Sequence, residues 1–341
     1  MIDGESFYPD RFPEARQMER RVMGLGKPWI VATLLTPVAL LIISACGDGP
    51  VDSPLEPVDT PETTATPPLA PQTIIDDSAP PLQMLMASSD FGIGINRLGF
   101  ALLNTESGPI RDVEVRVSTF FLAPTGQEGP KETVGTVFRR WPVGAGGVYT
   151  AQLTFDRAGT WGIGAVVSVA GSPSRTASTR VQVKETSATP ALGSPAPRSV
   201  SKTVRDVATL DEMTTDPDPD PDMYAMTIAE AIEAGEPLVV TFSTPAYCAT
   251  GTCGPQLSVV KDLKDRYSDE VNFIHVEVYD NPLEIQGDLS RGRLSPVLRE
   301  WNLPSEPWTF IVDEDGLIRA KFEAFVNGQE LEEALAGVLK Q

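Results

Sequence analysis

Histidine is nearly absent from this 341-residue chain: His275 stands alone, which excludes any mechanism that needs two imidazoles. Cysteine is scarce as well. Cys46, Cys248 and Cys253 are too few for a zinc finger or a disulfide-dense scaffold. Basic residues are outnumbered, 27 Lys plus Arg against 47 Asp plus Glu, so the net charge is −20. Such a chain repels nucleic acid and anionic membrane surfaces, and DNA or RNA is excluded as a partner. No cofactor and no resident metal is expected. What the chain does have is 41% hydrophobic residues, enough for real cores, together with 31 Pro and 28 Gly, which mark stretches outside packed domains. Its length allows two ordinary domains and a tether.

Residues 28–45 form an 18-residue run without a charge, preceded by Arg20, Arg21 and Lys27. A basic flank, an apolar run and small residues at its end make an export signal. The run meets Cys46 in the order Ile43-Ser44-Ala45-Cys46. This resembles the lipobox of bacterial lipoproteins, which implies that Cys46 becomes the lipidated first residue of the mature chain. The alternative is an uncleaved transmembrane helix, near the lower length limit for spanning and weakened by Pro37. Either anchor places the remainder outside the cytoplasm, on a membrane.

Residues 47–82 hold nine Pro, seven Asp or Glu and no Lys or Arg, a composition that cannot offset its ordering entropy. They read as an extended tether. From 83 to 185 the pattern becomes period two, in runs such as Val113–Val117, Tyr149–Leu153 and Ile163–Val167, separated by turn signals. Short strands at this spacing predict an antiparallel β-sandwich. Gly147-Val148-Tyr149, followed by Ala158-Gly159-Thr160-Trp161, resembles small extracytoplasmic immunoglobulin-like modules, with Trp161 as a core plug. Residues 186–222 read as a second linker between separate domains. It ends in Asp216-Pro217-Asp218-Pro219-Asp220-Pro221-Asp222. Alternate prolines oppose the turn that a calcium loop needs, so a solvated spacer is predicted there.

Residues 223–341 carry the chemistry. Thr227–Ala234 predicts a short helix stopped by Gly235. Pro237–Phe242 predicts a buried strand, Pro255–Tyr267 a helix and Val271–Val278 another strand. Ser295-Pro296 opens a short helix. Trp308–Val312 and Ile318–Phe325 predict strands joined by Asp313–Gly316, and Asn327 with Glu330 starts a last helix.

That order, with a cysteine pair between the first strand and its helix, resembles the thioredoxin fold. Three local matches carry the resemblance: Phe242–Cys248, Cys253-Gly254-Pro255, and Glu306-Pro307-Trp308 through Asp313. The predicted fold class is therefore an all-β sandwich followed by an α/β thioredoxin-like domain. The resemblance implies Cys248 and Cys253 as the redox pair and Pro307 as the cis-proline beside it, with Glu306 and Tyr247 as modulators. Four residues separate the cysteines instead of the family's usual two. Alignment from the strand makes Cys248 the nucleophile. Alignment from Gly-Pro makes it Cys253 and puts Gln256 in the place of the second cysteine. Thr241 stands where many thioredoxins bury an Asp.

Exchange chemistry needs one thiolate to attack a disulfide and a second to resolve the mixed disulfide. The implied partners are a protein thiol or disulfide client and an electron donor. Two alternatives stand beside this reading. One is a non-catalytic interaction module with the disulfide as a staple. The other is copper handling through the two cysteines and a histidine, for which His275 is the only candidate, placed inside a strand.

Overall fold

A computed structural model describes residues 82–141, 146–248 and 250–340. The apolar run at 28–45, Cys46 and the tether up to residue 81 lie outside the described residues. Among the described residues no helix is long and apolar enough to cross a membrane.

The first part is all β. Strands β1 (Leu82–Met86), β3 (Gly94–Asn104), β8 (Gly147–Phe155) and β7 (Val137–Arg140) form one sheet in the order β1-β3-β8-β7, with β4 (Gly108–Ile110) also on β3. The second sheet runs β2-β10-β9-β5-β6, from Phe91–Gly92, Arg175–Lys184, Gly159–Ser168, Glu114–Ala123 and Gly126–Gly135. Period-two alternation puts Leu98, Phe100 and Leu102 of one sheet, and Val115, Val117, Trp161 and Ile163 of the other, into one shared core. This arrangement is compatible with a β-sandwich. Trp161 is fully buried, packs edge-on to Phe155 and Phe121, and donates from its indole N–H to the Arg157 carbonyl.

The second part is built on a four-stranded sheet in the order β12-β11-β13-β14, comprising Asn272–Glu277, Leu238–Ser243, Trp308–Val312 and Ile318–Glu323. β11 is parallel to β12 and antiparallel to β13. The parallel pair needs a crossover, and α2 (Cys253–Tyr267) supplies it. Helix α1 (Ile228–Ala234) begins with a capping box, in which the Thr227 hydroxyl accepts from the Glu230 N–H and the Glu230 carboxylate accepts from the Thr227 N–H. It stops at Gly235, whose φ of 71° is the left-handed conformation that glycine tolerates. α3 (Pro282–Ile285) and α4 (Pro296–Glu300) follow β12, and α5 (Gly328–Val338) starts where the Asn327 side chain accepts from the Glu330 N–H.

The sheet has two unlike faces. Leu238, Val240, Phe242, Ile274, Val276, Phe310 and Val312 point to one side, against Ile228 of α1 and Trp301 after α4. Val239, Phe273 and Ile311 point to the other, against Leu257, Val260 and Leu263 of α2 and Leu331 and Leu335 of α5.

Residues 186–222 are not the free spacer that their composition predicts. Thr189, Ser199, Ser201, Thr203, Met213 and Thr214 are buried. The Asp-Pro run is strapped to α2: Asp216 pairs with Lys261 at 2.6 Å, and Asp220 and Asp222 pair with Lys264 at 2.9 and 3.2 Å. Two lysines three positions apart lie on one helix face and so meet carboxylates spaced along an extended chain. Three of the four carboxylates expected to be solvated have found cations, while Asp218 meets Lys261 only through its backbone carbonyl.

The sandwich and the four-stranded sheet also touch directly, contrary to the separate domains expected. Arg97 of β3 makes a double contact with Glu330 of α5, 2.8 and 2.9 Å, with both side chains largely buried, and reaches the Phe325 carbonyl at 3.1 Å. Trp141 packs edge-on to Phe325. The Glu323 carboxylate accepts from the Ser89 N–H at 2.6 Å and from the Ser305 hydroxyl at 2.8 Å, which ties the sandwich to the segment before Pro307.

Candidate functional site

The site forms where β11 ends and α2 begins. Cys248 and Cys253 are joined as a disulfide, with Cα atoms 5.9 Å apart. Cys253 is the first residue of α2 and is fully buried, whereas Cys248, in the loop before it, is partly exposed. The Cys253 backbone N–H points at the Cys248 sulfur, 3.3 Å away, and the Thr250 hydroxyl stands at the same distance. Four N–H groups at a helix start lack intrahelical partners, and the helix dipole adds a partial positive charge there. The N-cap, Thr252, makes no side-chain cap bond, and no acidic residue lies in the first turn of α2. A helix start facing this sulfur offers unpaired N–H groups to negative charge.

Pro307 is buried at the head of β13, and the Glu306–Pro307 peptide is cis. Since Phe242 is in register with Trp308, Pro307 stands beside the end of β11 from which the cysteine loop departs. Its carbonyl accepts from the Ala324 N–H at 2.9 Å. Glu306 is half-buried, and burial pushes its carboxyl upward from the usual range. It makes no hydrogen bond or ion pair among the described residues. Tyr247 packs edge-on to Tyr279, ring centres 6.0 Å apart, and the burial of Tyr279 together with the Glu306 charge raises that phenol. The structure thus gathers all five predicted site residues of this domain around the end of one strand. Cys46 lies outside the described residues.

Beneath the loop runs a buried polar row that the sequence reading largely missed. Thr241, Ser243, His275, Glu277 and Thr309 all leave the sheet on the side of Val239 and Ile311. Thr241 bonds Thr309 at 3.1 Å, and Gln256 donates to Thr309 at 3.3 Å while accepting from the Val326 N–H at 2.9 Å. Gln256, at the position where one alignment expects a cysteine, is therefore a buried linker between α2, β13 and the chain before α5. Glu277 accepts from both the N–H and the hydroxyl of Thr215 at 2.8 Å, and burial pushes its carboxyl up to about 7. The Thr215 hydroxyl in turn accepts from the Ala246 N–H in the cysteine loop at 3.2 Å. The signal for this row was legible: a Glu at the end of the apolar run Val271–Val278, two residues from a lone His.

His275 is placed as a strand histidine with both ring nitrogens engaged. Nδ1 lies 2.6 Å from the Tyr224 hydroxyl, and Nε2 lies 2.9 Å from the Ser243 hydroxyl and 3.2 Å from the Ser243 carbonyl. A carbonyl only accepts, so Nε2 carries the proton and Nδ1 accepts from Tyr224. Burial lowers its pKa to about 4, and the ring is neutral. Among the described residues no cluster of three His, Cys, Asp or Glu side chains is spaced to hold a metal ion.

No protein-family model matches this chain, and no curated protein sequence matches it significantly.

Proposed function

We propose that this chain is a thioredoxin-like thiol–disulfide exchange protein acting on protein clients through Cys248 and Cys253, held by a lipidated Cys46 at the extracytoplasmic face of a bacterial membrane. The observation that carries the reading is the asymmetry of the pair. An accessible sulfur, facing a helix-terminal N–H, is bonded to a buried one at the first residue of α2. The strand order β12-β11-β13-β14, the parallel pair bridged by α2 and the place of Pro307 beside the pair support the thioredoxin likeness.

A client thiolate attacks the Cys248 sulfur. The Cys248–Cys253 bond breaks, its electron pair leaves on Cys253, and that sulfur takes up a proton. The client's second thiolate then attacks the client sulfur of the mixed disulfide and expels Cys248 as a thiolate, stabilised by the Cys253 N–H. The client loses two electrons and the cysteine pair gains them. A disulfide-bearing oxidant must restore the pair. With a dithiol donor instead, the same steps run backwards and a client disulfide is reduced. Thiolate stabilisation at 248 favours the first direction, client oxidation, because a low-pKa sulfur is the better leaving group and holds the pair in its reduced form.

Redox titration tests the reading. Exchange predicts a pair that equilibrates with a glutathione or dithiothreitol buffer above about −300 mV. A value well below that belongs to structural disulfides, and would leave the second reading, an interaction module whose buried Cys253 serves as a staple.

A further inference from the structure

Beside the cysteine pair lies a cleft of about 540 Å³, a volume within the range of ligand pockets. One wall belongs to the cysteine loop and the segment before Pro307: Thr250, Thr252 and Glu306. The other belongs to the sandwich and is mainly apolar, with Leu85, Met86 and Ile110 beside Arg111. Leu85 and Met86 are neighbours in one strand, so their side chains leave opposite faces, and the cleft therefore wraps the edge of β1. Among the described residues β1 is paired only with β3, and Leu85 is 50% exposed. Trp141 and Phe325, in contact with each other, also line the cleft.

Two features bear on what would occupy this space. The first is Glu306. A half-buried carboxylate with no hydrogen bond or ion pair among the described residues is costly, and it sits in a mainly apolar cleft whose other charged lining residues are Arg111 and Glu323. A cation delivered by the occupant would satisfy it. The second is Ala324, which also lines the cleft and holds a φ of 59°, a left-handed conformation disfavoured for an L-residue. Strain retained at a cleft wall, beside the Pro307 carbonyl that Ala324 bonds, is a mark of a built site.

We propose that the sandwich supplies half of a client-binding cleft. Its occupant is an extended polypeptide with apolar side chains and one Lys or Arg next to the cysteine presented to Cys248. The apolar residues lie along Leu85, Met86 and Ile110, and the cation pairs with Glu306. The net charge of −20 acts in the same sense, since it disfavours acidic clients at long range. The identity of the occupant as a thiol-bearing chain rests on the exchange reading above, whereas the recognition itself can be measured without any redox step.

The experiment uses the full chain in its oxidised form and fluorescent peptides in which serine replaces the cysteine. One peptide has leucine and valine flanks with a lysine beside the serine, a second carries glutamate in place of that lysine, and a third has polar flanks. Anisotropy titrations should show the lysine peptide binding about tenfold more tightly than the glutamate peptide. Glu306→Gln should collapse that ratio towards one while keeping preference for apolar flanks. Leu85→Gln, at an exposed position where the fold tolerates it, should weaken both apolar peptides and leave the lysine preference. Equal affinity for all three peptides, or binding insensitive to both substitutions, would overturn the proposal. So would binding of a fatty acid or detergent monomer in the cleft with no binding of peptide. Peptide binding with a redox-inert disulfide would refute the exchange reading and keep the cleft, while exchange without peptide selectivity would do the reverse.

Discussion

The two faces of the four-stranded sheet are made from the same strands by alternation, yet they differ in kind. The face carrying Leu238, Val240, Phe242, Phe310 and Val312 is apolar along β11 and β13 and packs on α1 and Trp301, with Lys321 and Glu323 of β14 at its edge. The opposite face is apolar only under the later turns of α2 and under α5. Towards the cysteine end it carries Thr241, Ser243, His275, Glu277 and Thr309. Burial of polar groups is costly unless each finds a partner, and the named groups are bonded to Gln256, Tyr224, Thr215 or one another. The apolar face supplies stability. The polar face holds one end of the sheet in register with the cysteine loop, through Glu277, Thr215 and Ala246.

Truncation on the apolar face should give the largest effect. Phe310 is fully buried and packs against Phe242, Trp301 and Trp308. Phe310→Ala should cost about 3–5 kcal/mol in urea unfolding, from lost burial and the cavity left behind. A loss under 1 kcal/mol would mean that this face is not a packed core.

The polar face should show itself through pH. His275 is held neutral in the folded chain, its pKa lowered by burial from 6.5 to about 4. The unfolded chain binds that proton more readily, so the stability held above pH 6.5 is lost as pH falls towards 4. A His275→Gln variant has no such titration. Its deficit relative to the parent should therefore shrink on acidification from pH 7 to pH 4, by up to about 3 kcal/mol. A deficit constant across this range would show that the ring is not buried as described. Glu277 acts in the opposite sense, because its raised pKa lets the folded chain bind a proton more readily between 4.5 and about 7. The parent's own profile should consequently be flatter than that of either group alone.

A smaller and two-sided effect separates satisfied from unsatisfied polar groups. The Thr119 hydroxyl, in the sandwich core, has no hydrogen-bond partner among the described residues. Gln256 is bonded at both ends of its amide. Thr119→Val should be neutral or stabilising by up to about 1 kcal/mol, while Gln256→Leu, which orphans the Val326 N–H, should cost about 2 kcal/mol. In thermal melts Gln256→Leu should lower the midpoint while Thr119→Val leaves it unchanged or raises it, and a lowered midpoint for both would break the distinction.

Much of the strand pattern was legible because alternation and turn chemistry are local. Trp308–Val312 is a strand with the predicted bounds, and Gly235 and Asn327 end and start helices as their residue types dictate. β6 was not legible. Gly126–Gly135 is almost wholly exposed, holds a proline and three glycines, and pairs with β5 without an apolar face to betray it. The 186–222 stretch misled for a different reason. Its composition is that of a solvated chain, but Lys261 and Lys264 lie on a helix about forty residues away, and only the tertiary fold brings them to the Asp-Pro run. At the site, the residue types Cys248, Cys253, Glu306 and Pro307 were legible. The asymmetry between the sulfurs was not, because exposure depends on how the six-residue loop climbs onto α2.

The most direct test of that asymmetry is covalent. Reduced Cys253→Ser and Cys248→Ser variants, each incubated with cell-envelope extract and resolved on non-reducing gels, report which sulfur attacks. Cys253→Ser keeps the exposed thiolate and lacks its resolving partner, so it should accumulate mixed disulfides that vanish on reduction, and Cys248→Ser should accumulate none. Trapping by Cys248→Ser alone would make Cys253 the nucleophile and contradict the assignment drawn from burial. Trapping by neither, with both variants destabilised, would end the exchange reading and leave the disulfide as a staple.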